Sequence, residues 1–349
     1  MAIHVGLIGA GNISDTHARA AAAIPGVAIA GVYAPTREKA QRLAAAHGGV
    51  ACDTLDALLD RRPLDLVIIG SPSGLHAEHG IAAARRGIHV LVEKPIDVSA
   101  TRADALVAEA DRAGVRLGVI FQDRLKPDVE RTRALITDGC LGRPMLATAQ
   151  VKWYRPPEYY RGSQWRGTQS LDGGGALMNQ GVHTVDLLLW LFGPVHRVFG
   201  RTATLRHQIE VEDTAVAVLE FENGALGTLE AATSAYPGYP RRLELTGSQG
   251  TLVIDGDRLA AIDLTGPGGS ATASAEQPDS ANASAERPVA SSSPIVADAS
   301  AHQRVIEDFI RAIETGGRPC CDGREGRQSV ALIEAIYRSS RTGQPVLFE

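Results

Sequence analysis

Between residues 3 and 121, short apolar runs alternate with helix-length segments, and few folds accommodate that rhythm. His4-Val5-Gly6-Leu7-Ile8 has the continuous apolar character of a strand buried on both faces. A helix is expected over 17–24, stopped by Pro25-Gly26, then a strand over 27–33 and a helix over 37–47 closed by Gly48-Gly49. Thr54 is placed to cap a short helix running to Leu59. Strands at 64–69, 89–92 and 116–121, with helices at 76–86 and 99–113, complete the pattern. Strands separated by helices of this length imply a parallel sheet covered by helices on both faces.

Where the first strand meets the first helix stands Gly9-Ala10-Gly11-Asn12-Ile13-Ser14. Glycines at such a junction permit a tight turn and close backbone approach to a pyrophosphate, while the helix N-terminus favours its charge. Ser14 takes the place of the usual third Gly or Ala. The end of the second strand contacts the adenosine ribose, where NAD is met by an acidic residue. Here the place is held by Ala34, with Thr36 and Arg37 following, a set that leans to NADP over NAD. With Ala34, Thr36 and Arg37, the expected cofactor contacts are Gly9, Gly11, Asn12 and Ile13 of the glycine turn and Ser71, Pro72, His76, Glu93, Lys94 and Gln122 after later strands. Lys94, in Val92-Glu93-Lys94-Pro95, lies at the carboxyl end of a strand, where open α/β sheets bind ligands. Beside a positively charged nicotinamide ring its ammonium form is disfavoured.

From Gly142 the pattern changes. A strand is expected over 144–154, then strands follow one another at 197–205, 214–221, 225–233, 241–246 and 251–255, with Asn223-Gly224 as a hairpin signal. Strands without intervening helices indicate a mostly antiparallel sheet, so this half is an α+β domain. The expected boundaries are a dinucleotide-binding domain over 1–123 and a substrate and oligomerisation domain over 124–349. Within the latter, 266–300 is rich in Ala, Ser, Pro and Gly and reads as a mobile loop, and 302–349 carries closing amphipathic helices. At 349 residues the chain is long for one core, in keeping with two domains.

The stretch Gly173-Gly174-Gly175-Ala176-Leu177-Met178-Asn179-Gln180-Gly181-Val182-His183-Thr184-Val185-Asp186 leads into an apolar helix. On one helix Asn179, His183 and Asp186 fall at i, i+4 and i+7 and share a face. The three glycines suit a backbone that approaches something closely, such as a ligand. Upstream, Tyr154, Tyr160, Trp165 and Arg166 lie in an aromatic and basic segment suited to a sugar face and to anionic groups. Asp186 reads equally as an orienting partner of His183 and as a helix-packing acid.

A net charge of -5 without any basic block argues against nucleic acid as a partner. No apolar run is long enough to span a bilayer. Four cysteines without paired spacing suit reduced thiols, and the chain runs from Met1 straight into a strand-like segment, so a cytoplasmic protein is expected. No cysteine or histidine cluster has metal-ligand spacing, so no metal is expected.

The glycine turn, Glu93-Lys94-Pro95 and Gly174-Gly175-x-Leu177-x-Asn179-x-Gly181-x-His183-x-x-Asp186 together resemble the Gfo/Idh/MocA oxidoreductase family. The resemblance covers nearly the whole chain apart from the Ala/Ser stretch. It implies a Rossmann domain followed by a domain with a large open-faced sheet that mediates homodimers or homotetramers. It also implies hydride transfer between NAD(P) and a carbon of a sugar, sugar acid, nucleotide-linked sugar acid or cyclitol. Lys94 and His183 then carry the chemistry. Many members have an aspartate where this chain has Asn179, and a neutral amide can only orient a substrate hydroxyl. The same scaffold also serves NAD-dependent glycoside hydrolases and non-catalytic NAD(P)-binding regulators. These are the alternatives.

Overall fold

The computed structural model describes residues 2–265 and 298–348. The Ala/Ser-rich loop expected at 266–300 lies outside them except for 298–300, and Ser300 already begins a helix. The chain divides into two compact units, each drawn from separate segments: Met1–Leu125, Ser170–Gly173 and Pro294–Val330 in the first, Lys126–Gln169, Gly174–Ser293 and Ala331–Glu349 in the second.

The first unit is built on β1 (Ile3–Ile8), α1 (Asn12–Ala22), β2 (Val27–Tyr33), α2 (Arg37–His47), β3 (Val50–Cys52), α3 (Leu55–Leu59), β4 (Leu66–Ile69), α4 (His76–Ala84), β5 (His89–Glu93), α5 (Ala100–Ala113) and β6 (Leu117–Ile120). Its strands form one parallel sheet in the order β3-β2-β1-β4-β5-β6, the doubly wound arrangement. Every residue of β4 is buried, which is why its sequence is an unbroken apolar run. Thr54 caps α3 as expected, its Oγ1 accepting from the Ala57 amide at 3.0 Å. The three-residue β3 was absent from the sequence reading; so short a strand has no periodicity to detect.

The same unit takes in α9 (Ser300–Thr315) from far along the chain. Val305, Ile306, Phe309 and Ile310 join Leu91 and Ile120 in its core. Gly118 in β6 makes room for them, since a Cβ there would lie 2.7 Å from the Phe309 ring. The helix α10 (Gly323–Thr342) begins beside β6 in the same way, with Gly323 and Gly326 over Leu117 and Val119.

The second unit contains α6 (Pro127–Thr137), β7 (Pro144–Lys152), α7 (Pro157–Arg161), a π-helical turn (Ala176–Gly181), α8 (Val182–Phe192), and strands β8 (Val195–Ala203), β9 (Thr214–Phe221), β10 (Leu226–Ala232), β11 (Arg242–Gly247), β12 (Gly250–Asp255), β13 (Arg258–Leu264) and β14 (Val346–Leu347). They form an eight-stranded sheet ordered β13-β12-β11-β7-β10-β9-β8-β14, in which only β7 and β10 run parallel. Gly224, with φ +84°, turns the chain between β9 and β10, as Asn223-Gly224 foretold. One sheet face is buried, and α8 packs on β7 and β11. The other alternates outward, leaving Leu146, Phe199, Val216, Val218 and Leu226 between 41% and 54% exposed. Among the described residues no helix is long and apolar enough to cross a membrane.

Candidate active site

The glycine turn is sterically fixed. Gly9 has φ +111°, and a Cβ on it would sit 2.6 Å from the Gly70 carbonyl oxygen, so no other residue fits. Its amide donates to Tyr33 O at 2.8 Å, and the Gly70 amide to Ile8 O at 2.8 Å, locking the ends of β1, β2 and β4 together. Gly11 is different. A Cβ there would meet nothing within 4 Å, so its glycine leaves open space at the N-terminus of α1. That is the cradle a pyrophosphate requires. Asn12 and Ile13 form the outward first turn of α1, while Ser14 is buried below, its Oγ 3.0 Å from the position of a Gly70 Cβ. Ala34 is buried at the end of β2, and Thr36 and Arg37 are exposed. Arg37 Nη1 lies 3.0 Å from the Asp53 carboxylate, a partner that the sequence reading did not include.

The loops after β4 and β5 brace each other. Ser71 Oγ is 3.0 Å from His79 Nδ1, and burial takes the His79 pKa down to about 4, so that ring is neutral. Pro72 is half-buried in the same loop. His76 is buried, with Nε2 2.9 Å from Ser71 O and Nδ1 2.8 Å from Pro95 O. Both ring nitrogens face backbone carbonyls, so His76 sits between the Ser71 and Lys94 loops, and its one N–H in the neutral ring donates to one of them. Burial lowers its pKa. Asp97, fully buried, accepts from the Ala77 amide at 2.9 Å and the Val98 amide at 2.8 Å. Lys94 is therefore a half-buried side chain on a loop fixed at both ends. Gln122, just after β6, has a buried Oε1 with no hydrogen-bond partner among the described residues, an acceptor suited to a ligand donor.

Glu93 turns inward. Its Oε1 is 2.9 Å from His17 Nε2 on α1 and 3.9 Å from His302 Nε2 on α9, and its Oε2 accepts from the Lys94 amide at 3.0 Å. Glu93, expected among the cofactor contacts, has its carboxylate held by protein groups. The three ligand-type atoms of His17, Glu93 and His302 lie within 4.8 Å of one another and are buried. Residues this far apart in sequence have no spacing to betray them. Burial alone would raise the Glu93 pKa, but the His17 hydrogen bond and the charges of His17, His302 and Lys94 hold it at about 2, against an ordinary 4.5. The folded-state value lies below the unfolded one, so this stabilisation is complete above pH 4.5 and is lost as pH falls toward 2. Glu93→Gln is expected to shrink the loss of stability between pH 7 and 3 by about 2 kcal/mol. Urea unfolding at the two pH values reads this out; an unchanged difference sinks it.

The three glycines, expected to let backbone approach something closely such as a ligand, make room for protein groups. A Cβ on Gly174 would lie 2.1 Å from the Tyr337 hydroxyl, and one on Gly175 2.0 Å from Glu212 O; Gly173, in the first unit, has φ +72° and meets Val98. Glu212 then caps the π turn. Its carboxylate accepts from the Gly175 amide at 3.0 Å, the Leu177 amide at 2.8 Å and the Tyr337 hydroxyl at 3.0 Å. The expected uninterrupted α-helix is corrected: Asn179 lies on the π turn and α8 begins only at Val182. An extra residue per turn is a common device at functional sites. Asn179 and His183 are half-buried, whereas Asp186 is 1% exposed and sits within the fold.

Asn179 is oriented by its neighbours. Gln180 Nε2 donates to Asn179 Oδ1 at 2.8 Å and to the Tyr159 hydroxyl at 3.0 Å, while Gln180 Oε1 accepts from Arg155 Nη2 at 2.7 Å. This network assigns the Asn179 amide with its NH₂ away from Gln180. Arg155 is 8% exposed, stacked 5.1 Å from the Tyr159 ring, and Arg166 stacks on the same ring at 4.5 Å and on Trp165 at 5.4 Å. Burial lowers the Arg155 pKa. Tyr160 is buried, its hydroxyl donating to Thr233 Oγ1 at 3.0 Å. Tyr154 accepts from Arg206 Nη2 at 3.2 Å. Arg155, Tyr159, Gln180 and Glu212 were missed from sequence; Gln180 beside Asn179, and Arg155 and Tyr159 in the basic aromatic segment, were the available signals.

Residues 3–121 match the family described as oxidoreductase family, NAD-binding Rossmann fold (GFO_IDH_MocA), and residues 129–253 match the GFO/IDH/MocA C-terminal domain. The chain is 30% identical to D-xylose 1-dehydrogenase (NADP(+)) 2 of Haloferax volcanii, over 85% of this chain and 84% of that protein. It is 27% identical to inositol 2-dehydrogenase of Rhizobium meliloti, over 97% of this chain and 97% of that protein. The WlbA dehydrogenase of Bordetella pertussis, solved with NADH and UDP-GlcNAcA, is similar with a TM-score of 0.86 and 33% identity, covering 100% of this chain and 99% of that one.

Proposed function

The chain belongs to the GFO/IDH/MocA oxidoreductase family, and from that premise we propose that it exchanges hydride between NAD(P) and a hydroxyl-bearing carbon of a sugar, sugar acid or cyclitol. The first unit binds the dinucleotide and the second the substrate. The open cradle at Gly11, the helix N-terminus behind it and the buried acceptor of Gln122 fit such a cofactor. When bound, its nicotinamide supplies the hydride acceptor or donor. The chain's own residues manage the oxygen and its proton. His183 takes the hydroxyl proton, imidazole being the side chain that exchanges protons near neutral pH. Lys94 donates a hydrogen bond to the same oxygen and stabilises it as negative charge develops. Asn179 holds a neighbouring hydroxyl through its NH₂. The observation that carries the reading is the rigid setting of Lys94 at the carboxyl end of β5, where open sheets bind ligands.

We read the cofactor as NADP: Ala34 offers no carboxylate to the ribose, and the Arg37 guanidinium is exposed, with Asp53 as a partner that a 2′-phosphate can displace. Purified protein with NADP or NAD and a panel of sugars, sugar acids and cyclitols tests both statements. Reduced cofactor must accumulate with at least one alcohol, and NADP must give the larger melting shift. A larger shift with NAD ends the NADP assignment. Cleavage of an aryl glycoside without net cofactor change ends the dehydrogenase assignment.

The exposed apolar face of the second sheet, from Phe199 through Val218 to Leu226 and Leu146, suits a second copy of the chain in a homodimer or homotetramer. Val218→Asp is expected to yield monomers in light scattering at micromolar concentration; unchanged mass removes this face from the interface. None of the four cysteines is in a disulfide, which suits the reducing cytoplasm.

A further inference from the structure

The buried trio of His17, Glu93 and His302 has no part in the proton and oxygen chemistry described above. Its geometry joins two functional places. His17 lies on α1, five residues into the helix whose N-terminus is the glycine turn. Its Nε2 is 2.9 Å from Glu93 Oε1, while the other oxygen of the same carboxylate takes the Lys94 amide at 3.0 Å. His302, on α9, stands 3.9 Å from Oε1, its ring 5.7 Å from that of His17. All three are no more than 6% exposed.

We propose that Glu93, braced by His17 and His302, is a positioning residue for Lys94, fixing its backbone and supplying the fixed negative charge beside its ammonium. The proposal rests on the reading of Lys94 as the group that contacts the reacting oxygen. Two features separate this from ordinary core packing. A carboxylate buried this deeply is costly unless it is fully hydrogen-bonded, and apolar side chains would fill the space at less cost. Second, the charge acts on Lys94: the Lys94 ammonium is among the groups that keep Glu93 ionised, and by reciprocity Glu93 favours the ammonium. The other titratable groups facing Glu93 are His17 from α1, His302 from α9 and His76 from α4. The helix whose N-terminus carries the glycine turn is thus the same one that holds the carboxylate behind Lys94.

The trio also has the composition of a divalent-cation site, His₂Glu with neighbouring ligand atoms. The 2.9 Å separation of His17 and Glu93 is a hydrogen bond and needs no ion between them.

The test uses the full-length enzyme with the alcohol on which it is active. Glu93→Gln keeps shape and one acceptor but removes the charge. It is expected to lower kcat about 10²-fold, to leave the dissociation constant for the cofactor within about threefold of the parent (about 0.65 kcal/mol on the usual logarithmic scale), and to move the pH limb of kcat/KM that Lys94→Ala abolishes by about one unit toward acid. A merely structural carboxylate would not move that limb. Glu93→Asp, which keeps the charge, is expected to leave the limb in place. His302→Gln serves if Glu93→Gln fails to fold, and is expected to show a smaller displacement in kcat with an intact melting transition. A normal kcat and an unmoved limb in a folded Glu93→Gln protein overturn the proposal, as does stoichiometric binding of added zinc that Glu93→Gln abolishes. If Lys94→Ala itself retains full activity, the failure belongs to the assignment of Lys94 and not to Glu93.

Discussion

Lys94→Ala and His183→Ala are each expected to lower kcat about 10³-fold on the enzyme's own alcohol substrate while cofactor affinity is retained. The two losses have different origins. Without Lys94 the developing oxyanion lacks its charged donor, and removing one such donor costs about 10²–10³ in kcat. Without His183 the hydroxyl proton loses the acceptor proposed for it, and general-base catalysis contributes about 10²–10⁴. Neither side chain belongs to the glycine turn, so fluorescence titration with reduced cofactor should give parent-like dissociation constants. His183→Ala should also lose the pH limb at which the parent enzyme's kcat/KM declines toward acid. Either variant at near-parent turnover would remove that residue from the mechanism.

Glu212→Ala should be the most damaging change outside those two. Three donors converge on the Glu212 carboxylate: the Gly175 and Leu177 amides and the Tyr337 hydroxyl. Burial raises its pKa against the pull of these bonds, so part of their energy already offsets desolvation. Truncation leaves buried donors without an acceptor, at about 1–3 kcal/mol each. A loss of about 3–5 kcal/mol in unfolding free energy is expected, with a fall in kcat/KM of at least about 10²-fold because the turn bearing Asn179 loses its anchor. Glu212→Gln keeps one acceptor but turns an NH₂ toward a donor, so it should lie between. Cofactor binding belongs to the other unit and should be unchanged. A parent-like urea midpoint for Glu212→Ala would show that the turn is held by packing alone.

Most of the parallel-sheet unit was legible because its strands are buried on both faces and its helices carry their own stops. Gly48-Gly49 and Thr54 are local signals, and local signals survive in sequence. Asn223-Gly224 is another. The reading failed where the cause lay at a distance. The glycine run before Asn179 carries the same letters whether it faces a ligand or a tyrosine; only Tyr337 and Glu212, 125 residues apart, tell the two cases apart. The π turn likewise follows from where Glu212 grips the Gly175 and Leu177 amides, not from any property of Ala176–Gly181.

The sequence by itself determined the class of fold and the glycine turn and nominated Lys94, Asn179 and His183 as the polar groups to test, because periodicity, turn chemistry and residue type are properties of short stretches. Only the tertiary structure decided that Glu93 faces inward to His17 and His302, that Gln180 and Arg155 fix the Asn179 amide, and that α9 completes the core of the first unit. Apart from the adjacent Asn179 and Gln180, the polar meetings among them join side chains 25 to 209 residues apart, and the physical requirement behind them, that a buried polar or charged group find its partner, names no partner until the chain has folded.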